Sequence, residues 1–229
     1  MLYVPDSFRE PDVAMMQEFM RRYPFATIVS CRDGIHVSHL PVLLDAQRGP
    51  YGTIVGHLAR ANAHWRDFND ETAATCVFHG PHAYISPTWY TERPAVPTWN
   101  YAVVHAIGIP TVIDDQQRLA EIIDETLGTF EPALRDPVAD GYLPEAYRAP
   151  LLKAIVGFEI PIERLDGKFK LGQNRSAEDQ AGIRAALQAE GSSASELLEL
   201  MERHRRAASR TRNTRRRFCN SRERRKKHG

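Results

Sequence analysis

The stretch from Tyr84 to Gly108 constrains the fold more than any other part of the chain; it reads YISPTWYTERPAVPTWNYAVVHAIG. Three prolines between positions 87 and 97 lack the backbone donor that a central strand needs, so they predict a loop over residues 91–98. The run from Trp99 to Ile109 is rich in β-branched and aromatic residues and predicts a buried strand. An aromatic loop that leads directly into a core strand can line a pocket for a planar ligand, and it can also simply close the end of a barrel.

The rest of the chain alternates short strands with helices. Strands are predicted over residues 25–31, 35–44, 51–57, 73–79, 83–86, 99–112 and 154–164, with a hairpin turn at Arg32–Gly34. Apolar residues at helical spacing predict helices over residues 13–22, 59–68, 115–127, 144–152, 177–190 and 195–206, the first of them capped by Asp6 or Ser7. Six or seven antiparallel strands close most simply as a barrel. The sequence therefore predicts an α+β fold, an antiparallel β-barrel with flanking helices.

The net charge of +1 conceals a strong asymmetry. Residues 203–229 contain eleven Arg, two Lys and one Glu, a net charge of +12, so the preceding 202 residues carry −11. Such a tail cannot form a core and is predicted to be disordered. It could contact nucleic acid through the phosphates without reading the base sequence, or it could be a solvated extension with no such role. The acidic body is a poor electrostatic match for DNA.

Several classes of protein are not indicated. No apolar run is long enough to span a bilayer and the first residues lack the pattern of a secretory signal, which predicts a cytoplasmic protein without membrane association. Three cysteines at irregular spacing fit buried thiols in a reducing compartment. The histidine pairs at positions 36 and 39 and at 79 and 82 would point to opposite faces of their strands, which argues against a metal site. The sequence has no nucleophile elbow, phosphate loop or dinucleotide fingerprint, so no catalytic residue is predicted.

The segment GHLARANAHWRDF, residues 56–68, contains a candidate anion site. Arg60, Asn62 and His64 would lie near the first turn of the predicted helix 59–68, where backbone donors and the helix dipole favour an anion. A guanidinium beside those donors could clamp a phosphate. A surface helix with ordinary polar residues would account for the same side chains.

Six segments, taken in order, resemble the PaiB-type family, described as FMN-binding negative transcriptional regulators. They are residues 4–12, YPFATIVS at 23–30, HLARANAHW at 57–65, YISPTWY at 84–90, VPTWNYAVVHAIG at 96–108 and FKLGQNR at 169–175. The resemblance extends to about residue 205 and implies a split β-barrel of the flavin-reductase and pyridoxamine-phosphate-oxidase type, usually a homodimer with flavin at the subunit interface. Residues 1–206 are accordingly predicted to form one FMN-binding split-barrel domain with C-terminal helices, and residues 207–229 a basic tail.

The resemblance makes FMN the expected cofactor, and FMN requires a phosphate clamp, a slot for its ring and donors for the polar atoms of that ring. The predicted cofactor-binding residues are Arg60, Asn62 and Lys170 (or Arg175) for the phosphate, Trp99 and Tyr101 for the ring, Asn100, Gln173 and Asn174 for its polar atoms, and His57 from the same motif as Arg60. Gly172 stands where the family's motif has Ser, which removes a hydroxyl group from the site.

The resemblance implies a homodimer that binds FMN and represses transcription, either by binding DNA directly or through a regulatory partner. A flavin-dependent oxidoreductase acting on a small substrate is the alternative function, because other split barrels have this activity. Haem binding or breakdown is a third possibility, for which His57 or His105 would be the candidate axial ligand. Whether the protein is an enzyme is left open by the sequence.

Overall fold

The computed structural model describes residues 2–68, 71–134 and 141–207, and within them the chain forms ten strands and five α-helices. The strands are β1 (Arg9–Glu10), β2 (Phe25–Cys31), β3 (Ile35–Pro41), β4 (Leu43–Asp45), β5 (Thr53–Ala59), β6 (Ala74–Ile85), β7 (Thr98–Gly108), β8 (Thr111–Ile113), β9 (Ile155–Pro161) and β10 (Arg164–Lys170). The helices are α1 (Val13–Arg22), α2 (Gln116–Phe130), α3 (Glu145–Lys153), α4 (Ala177–Ala189) and α5 (residues 195–207). The predicted basic tail lies outside the described residues, except for its first residue.

The chain divides into two compact units. Unit 1 comprises Met1–Gly80 and Val103–Phe169, and unit 2 comprises Pro81–Ala102 and Lys170–Gly229. Two sheets run through unit 1, one with the strand order β1-β10-β7-β6-β2-β3 and the other with the order β4-β5-β9-β8. The boundary between the units falls within β6, β7 and β10.

The core of unit 1 lies under the helices α1 and α2. α1 buries Met16, Phe19 and Met20 on one face, as expected from their helical spacing, and α2 buries Leu119 and Ile122. The inward residues of the strands complete this core, including Ile28, Ile54, Phe78, Phe158 and Ile160. Buried residues alternate with half-buried ones along the interior of β2, so one face of this part of the sheet is covered more fully than the other.

Unit 2 has a smaller core of its own. α4 buries Ile183 and Leu187, which are one turn apart, and α5 buries Leu197 and Met201 at the same spacing. Asp179, one turn before Ile183 on α4, is also fully buried. A charged group in such a position requires hydrogen-bonding partners, which are described below.

The helix predictions are mostly confirmed, because local spacing and capping residues determine where a helix begins. α1 spans the predicted residues, and the predicted helices that became α2, α3, α4 and α5 differ from the structure by at most three residues at an end. The predicted cap of α1 is wrong. Asp12 caps this helix by accepting from the N–H groups of Ala14 and Met15, whereas Asp6 and Ser7 lie in a separate 3-10 helix that precedes β1.

The predicted helix over residues 59–68 is wrong. β5 continues to Ala59, because its pairing with β9 extends to that residue. A short 3-10 helix, Ala63–Asp67, follows, and Asn62 caps it by accepting from the N–H of His64 at 3.1 Å. The first-turn donor that was predicted to bind an anion is therefore occupied by the cap.

Two predicted strands are each divided where the chain passes from one sheet to the other. The predicted strand 35–44 separates into β3 and β4 at Val42, and the predicted strand 99–112 separates into β7 and β8 at Ile109 and Pro110. Pro110 has no N–H group to donate to a ladder, which favours a break at this point. All four strands retain the predicted β conformation. The difference from the prediction is that the two strands of each pair belong to different sheets.

The predicted strands 73–79 and 83–86 are instead one strand, β6, which runs through Gly80 and Pro81. A Cβ atom on Gly80 would collide with the ring of Phe19, so the absence of a side chain allows α1 to approach this strand closely. β10 was not predicted, because the last predicted strand, over residues 154–164, ends where β10 begins. Gly167 of β10 pairs with Glu10 of β1.

None of the described helices is long and apolar enough to cross a membrane.

Candidate cofactor-binding site

The start of β7, in unit 2, presents two predicted cofactor residues in opposite ways. Successive side chains on a strand point to opposite faces. Trp99 leaves 51% of its surface exposed, whereas the neighbouring Asn100 is 1% exposed. Tyr101, the next residue, is half-buried. The strand thus offers an open aromatic ring on one face and a buried amide on the other.

Trp99 belongs to a cluster of three rings in unit 2. Its ring centroid lies 6.0 Å from that of His82 and 6.0 Å from that of Tyr84, which it meets edge-on at 75°. Tyr84 and His82 are exposed as well. Exposed aromatic rings in contact with one another provide flat apolar area with polar edges, which suits a planar heteroaromatic ligand.

The segment after β10, Lys170 to Arg175, also lies in unit 2 and contacts the same strand. The ammonium group of Lys170 donates to the hydroxyl of Thr98 at the start of β7. Gln173 turns back on its own segment, with its side-chain oxygen accepting from the N–H of Leu171 at 2.7 Å. Asn174 is exposed. The structure therefore brings the late FKLGQNR motif to the residues that follow the proline-rich loop.

Arg175 supplies the second positive charge of the segment 170–175. Its guanidinium carbon lies 4.3 Å from the ring centroid of Tyr90, a cation–π contact. Among the described residues, no hydrogen bond or ion pair engages the guanidinium group. Its donors are thus available to an anion.

The amide of Asn100 has an incomplete set of hydrogen bonds. Its nitrogen, Nδ2, is buried and has no acceptor within the described part of the chain. A Cβ atom placed on Gly172 would lie 3.6 Å from this nitrogen, so the missing side chain of Gly172 leaves open the position beside it. A buried donor without an acceptor costs about 1–3 kcal/mol. An acceptor atom from a bound group would remove that cost, and the polar atoms of a flavin ring provide such acceptors.

Arg60 is engaged by protein atoms of unit 1. Its guanidinium donates to the carbonyl oxygens of Lys153 at 3.0 Å and Ile155 at 2.9 Å, and to the carboxylate of Asp114 at 2.5 Å. The two carbonyl contacts hold the start of β9 against the end of β5. Only the contact with Asp114 is with an exposed, exchangeable group.

Asn62 and His57 also belong to unit 1. The Asn62 side chain uses its oxygen to cap the 3-10 helix and its nitrogen to donate to the Ser38 hydroxyl at 3.0 Å. His57 is half-buried on β5, and this burial lowers its pKa. The structure thus brings together the predicted residues of unit 2, whereas Arg60 and Asn62 make separate contacts within unit 1.

A buried hydrogen-bond network around His64 was not predicted from the sequence. His64 is 3% exposed, and its ring joins two strands. Nε2 lies 2.9 Å from the hydroxyl of Ser30 on β2, and Nδ1 lies 2.8 Å from the hydroxyl of Ser38 on β3. Ser30 donates to Asp67, which also lies 2.7 Å from Nδ1 of His36.

These contacts determine which nitrogen of His64 carries the proton. Because Ser30 donates to Asp67, it must accept from Nε2–H, and Ser38 then donates to the unprotonated Nδ1. Burial lowers the pKa of His64, against the opposing effect of Asp67. The pKa of Asp67 is also lowered, since the hydrogen bonds from Ser30 and His36 outweigh the effect of its burial. The network therefore holds a neutral imidazole beside an ionised carboxylate.

The signal for this network was present in the sequence but weak. Ser30 and Ser38 each fall on the inward face of a predicted strand, and a buried hydroxyl requires a partner. His64 and Asp67 are three residues apart in a polar segment. Only the pairing of Ile28 with Ser38 and of Ser30 with His36 brings these groups to one place.

The fold and the unit 2 cluster together indicate a flavin-binding protein of the antiparallel split-barrel class. The chain belongs to the family described as "Putative FMN-binding domain", which matches residues 2–164. The protein named "Protease synthase and sporulation protein PAI 2" of Bacillus subtilis is 34% identical to it over 203 residues, which cover 88% of this chain and 97% of the relative. The predicted family and its cofactor, FMN, are confirmed.

Solved structures confirm the fold class. The FAD and haem binding protein from Mycobacterium smegmatis has a TM-score of 0.55 and 14% identity, with 76% of this chain and 78% of that one covered. The flavocytochrome Anf3 from Azotobacter vinelandii has a TM-score of 0.53 and 13% identity, with 76% of this chain and 75% of that one covered. At such identities the likeness concerns the fold alone.

Proposed function

We propose that this chain binds FMN through the cluster in unit 2 and acts as a homodimeric, cytoplasmic negative regulator of transcription. The observation that carries the proposal is the unsatisfied donor of Asn100, buried beside the open position at Gly172. Membership of the FMN-binding family supplies the identity of the ligand. When bound, FMN would supply a redox-active ring, and the residues below would hold it.

The ring contacts are assigned to Trp99 and Tyr101, and the polar contacts to Asn100, Gln173 and Asn174. Trp99 combines exposure with support from two further rings, so it can cover a planar ligand without rearrangement. Asn100 provides a donor that lacks an acceptor within the described chain. These residues are close in sequence on β7 or follow β10, and all of them belong to unit 2.

The phosphate is assigned to Lys170 and Arg175, with Arg60 as the alternative clamp. A guanidinium without a hydrogen-bonding partner is better suited to a phosphate than one that already has three. For Arg60 to bind phosphate, the anion would have to replace Asp114, whereas the two carbonyl contacts could remain. Asn62 and His57 stay predictions for the same alternative.

The first test is FMN binding, measured by the visible absorption of the purified protein and by quenching of FMN fluorescence. Trp99→Leu should weaken binding about tenfold, the size expected for loss of one aromatic stacking contact with its buried area. Tyr147→Leu, which removes another exposed ring, from α3, is the control and should bind like the wild type. No binding of FMN by the wild type would refute the proposal.

Riboflavin separates the two candidate phosphate clamps, since it has the same ring without the phosphate. Arg175→Gln should lower the affinity for FMN by a larger factor than the affinity for riboflavin. Arg60→Gln should affect neither if Arg175 is the clamp. The reverse result would assign the phosphate to Arg60.

An exposed apolar sheet face in unit 1 supports the homodimer. Phe25 and Cys31 of β2 share this face with Ile35 and Val37 of β3, because these residues are paired or two apart in the antiparallel register. Ile35 is 74% exposed, and β3 is an edge strand. Such a face on an edge favours association with another chain. Val37→Lys should yield a monomer in light scattering after gel filtration.

The regulatory role can be tested by selecting binding sites from random DNA duplexes with the full chain and with the chain ending at Arg206. A direct repressor would enrich one sequence in both selections. Binding that requires residues 207–229, depends strongly on salt and enriches no sequence would reduce the role of DNA to contact with the basic tail. In that case the regulation would have to act through a protein partner.

A further inference from the structure

Four consecutive residues of unit 2, Trp89 to Glu92, are held by α4 and the residue that precedes its cap. We call this arrangement the α4 clasp; it consists of Trp89, Tyr90, Thr91 and Glu92 on one side and of Arg175, Asp179 and Gly182 on the other. The four residues form the entrance to the proline-rich loop that ends at Thr98. Each of them has a separate contact, so the entrance is held at every residue.

Asp179 makes the strongest contacts of the clasp. One of its oxygens, Oδ1, accepts from the N–H of Thr91 at 2.7 Å, from the hydroxyl of Thr91 at 2.8 Å and from the N–H of Glu92 at 3.2 Å. Burial raises the pKa of Asp179, but the hydrogen bonds from Thr91 and Glu92 lower it by more, so the group is ionised at neutral pH. Ser176 caps α4 and accepts from the N–H of Asp179, which orients this first turn.

Gly182 and Arg175 contact the first two residues of the loop entrance, Trp89 and Tyr90. A Cβ atom on Gly182 would collide with the carbonyl oxygen of Trp89, so only glycine allows α4 to come this close. Arg175 lies over the ring of Tyr90, which is itself buried. The contacts of Trp89 and Tyr90 are thus steric and aromatic, whereas those of the next two residues are hydrogen bonds.

The far end of the loop is held independently. Thr98 accepts from Lys170 at the point where β7 begins. The loop is therefore anchored at both ends, with residues 93–97 between the anchors. Trp99 and Asn100 follow Thr98 directly. The conformation of the loop therefore determines the positions of these two residues at the start of β7.

We propose that Asp179 is a positioning residue of the flavin site, which acts by fastening the loop entrance so that Trp99 and Asn100 meet the ring in the correct geometry. This inference rests on the proposed FMN binding. Asp179 does not contact the ligand in this account. Its effect is transmitted through Thr91 and Glu92 along the loop.

The burial and the hydrogen bonds of the Asp179 carboxylate favour a role in positioning the loop over a role in stabilising the fold alone. A fully buried carboxylate stabilises a fold poorly compared with an apolar side chain of similar size, because its desolvation is costly. Asp179 is 0% exposed, and its second oxygen, Oδ2, has no partner in the described residues. Three hydrogen bonds converge on Oδ1 of Asp179, whereas Oδ2 has none among the described residues. We infer that the role of this carboxylate is to fix the backbone at Thr91 and Glu92 rather than to fill the core.

The test combines FMN titration with amide hydrogen exchange of the full chain without ligand. Asp179→Ala should accelerate exchange at the amides of Thr91 and Glu92 by tenfold or more and should raise the Kd for FMN about tenfold. Asp179→Asn keeps an acceptor oxygen in place and should stay within about threefold of the wild type, since neutral acceptors bind more weakly than charged ones. Glu178→Ala removes an exposed carboxylate from the same turn of α4 and should change neither quantity.

Gly182→Ala provides a second variant that leaves Asp179 intact. Alanine favours the helix more than glycine does, so α4 itself should not be weakened. The added methyl group must displace Trp89, and the Kd for FMN should rise as it does in Asp179→Ala. An unchanged Kd in both variants would overturn the inference.

Two further outcomes distinguish the inference from the proposed function. If Asp179→Ala weakens FMN binding only in proportion to a loss of Tm, with exchange accelerated equally throughout the chain, Asp179 is a general stabilising residue and the inference fails. If the wild type binds no FMN, the proposed function fails, and the positioning role at a flavin site fails with it. In the latter case, the exchange at Thr91 and Glu92 still shows whether Asp179 fastens the loop.

Discussion

Two buried polar clusters, one in each unit, differ in how completely their hydrogen bonds are satisfied. Around His64 in unit 1, no buried side-chain nitrogen or oxygen of the network lacks a partner among the described residues. In unit 2, Asn100 Nδ2 and Asp179 Oδ2 are buried without one. Both clusters consist of similar residue types. The difference indicates that the first cluster completes the fold, whereas the Asn100 amide in unit 2 can donate to an acceptor that the described part of the chain does not supply.

The location of the two clusters agrees with this interpretation. The His64 network connects β2, β3 and the 3-10 helix Ala63–Asp67, where it joins segments 26 to 37 residues apart. Asn100 follows the exposed Trp99 on β7, and its amide nitrogen lies beside the position left open by Gly172. A satisfied cluster should therefore respond to mutation with a loss of stability. An unsatisfied one should respond with a loss of ligand binding.

The largest effect is expected for His64→Ala. The change removes a buried ring and takes one hydrogen bond from each of the hydroxyls of Ser30 and Ser38, so the free energy of unfolding should fall by about 3–4 kcal/mol. Urea denaturation of the FMN-free protein measures this. His39→Ala, which removes an exposed histidine from the other face of β3, is the control and should cost less than about 1 kcal/mol. A loss below about 1 kcal/mol for His64→Ala would contradict the structural role of the network.

Asn100→Leu should produce the opposite pattern. Leucine is close in size to asparagine and removes the unsatisfied amide, so the free energy of unfolding without FMN should stay constant or rise by about 1 kcal/mol. The Kd for FMN should rise about tenfold, because a contact is lost. A destabilisation of more than about 1 kcal/mol without FMN would show that the amide is satisfied in the free protein and would remove the contrast between the clusters.

Stability should decrease as the pH falls from neutral. The folded-state pKa of His64 is lowered below its ordinary value of 6.5, so the unfolded chain binds the proton more readily. The contribution of neutral His64 is complete above pH 6.5 and is lost as the pH falls through the lower folded pKa. Asp67 acts in the same direction at more acidic pH, since its pKa is lowered from 3.8.

Urea denaturation of the wild type and of His64→Gln between pH 7.5 and pH 5 isolates this contribution. His57 and His105 also have lowered pKa values because of burial, and they add to the slope in both proteins. The slope should be smaller in His64→Gln than in the wild type. Equal slopes would show that His64 does not titrate in this range.

The smallest effect is expected for Gly172→Ser. Gly172 has a φ of +78°, a conformation that costs a residue with a side chain about 1 kcal/mol. A serine hydroxyl beside Asn100 would accept a hydrogen bond of about 1 kcal/mol, so the two effects should nearly cancel in the FMN-free protein. Gly172→Ala has the strain without the hydrogen bond and should be less stable than Gly172→Ser. Equal stability of the two variants would place the Asn100 amide out of reach of residue 172.

Local features of the sequence were sufficient for five of the six predicted helices, whose ends fall within three residues of the prediction. α1 and α4 follow from the spacing of their apolar residues, although Asp12 caps α1 in place of the predicted Asp6 or Ser7. The stretch 84–108 and the motif 169–175 both contribute to the unit 2 cluster, as the resemblance implied. The arrangement of the two sheets was harder to predict from the sequence. The divisions at Val42 and at Pro110 depend on which strands, distant in the chain, are available for pairing.

The contacts of Arg60 within unit 1 could not be derived from residue type alone. Its motif predicted a phosphate clamp, but β5 continues to Ala59 and brings the guanidinium to the carbonyl oxygens of Lys153 and Ile155, more than ninety residues later in the chain. Arg175 was only an alternative in the sequence-based prediction. In the structure its guanidinium group lies over the ring of Tyr90 and has no hydrogen-bonding partner among the described residues.

The sequence by itself determined the family, the helical segments and the residue types available to a flavin, because each of these depends on short motifs or on local spacing. Only the tertiary structure decided which polar groups are satisfied. Asn62, His64 and Ser38 complete one another's hydrogen bonds, whereas the Asn100 nitrogen beside Gly172 has no acceptor among the described residues. The physical reason is that a hydrogen bond extends over about 3 Å, and the partners come within that distance only when strands remote in sequence are aligned.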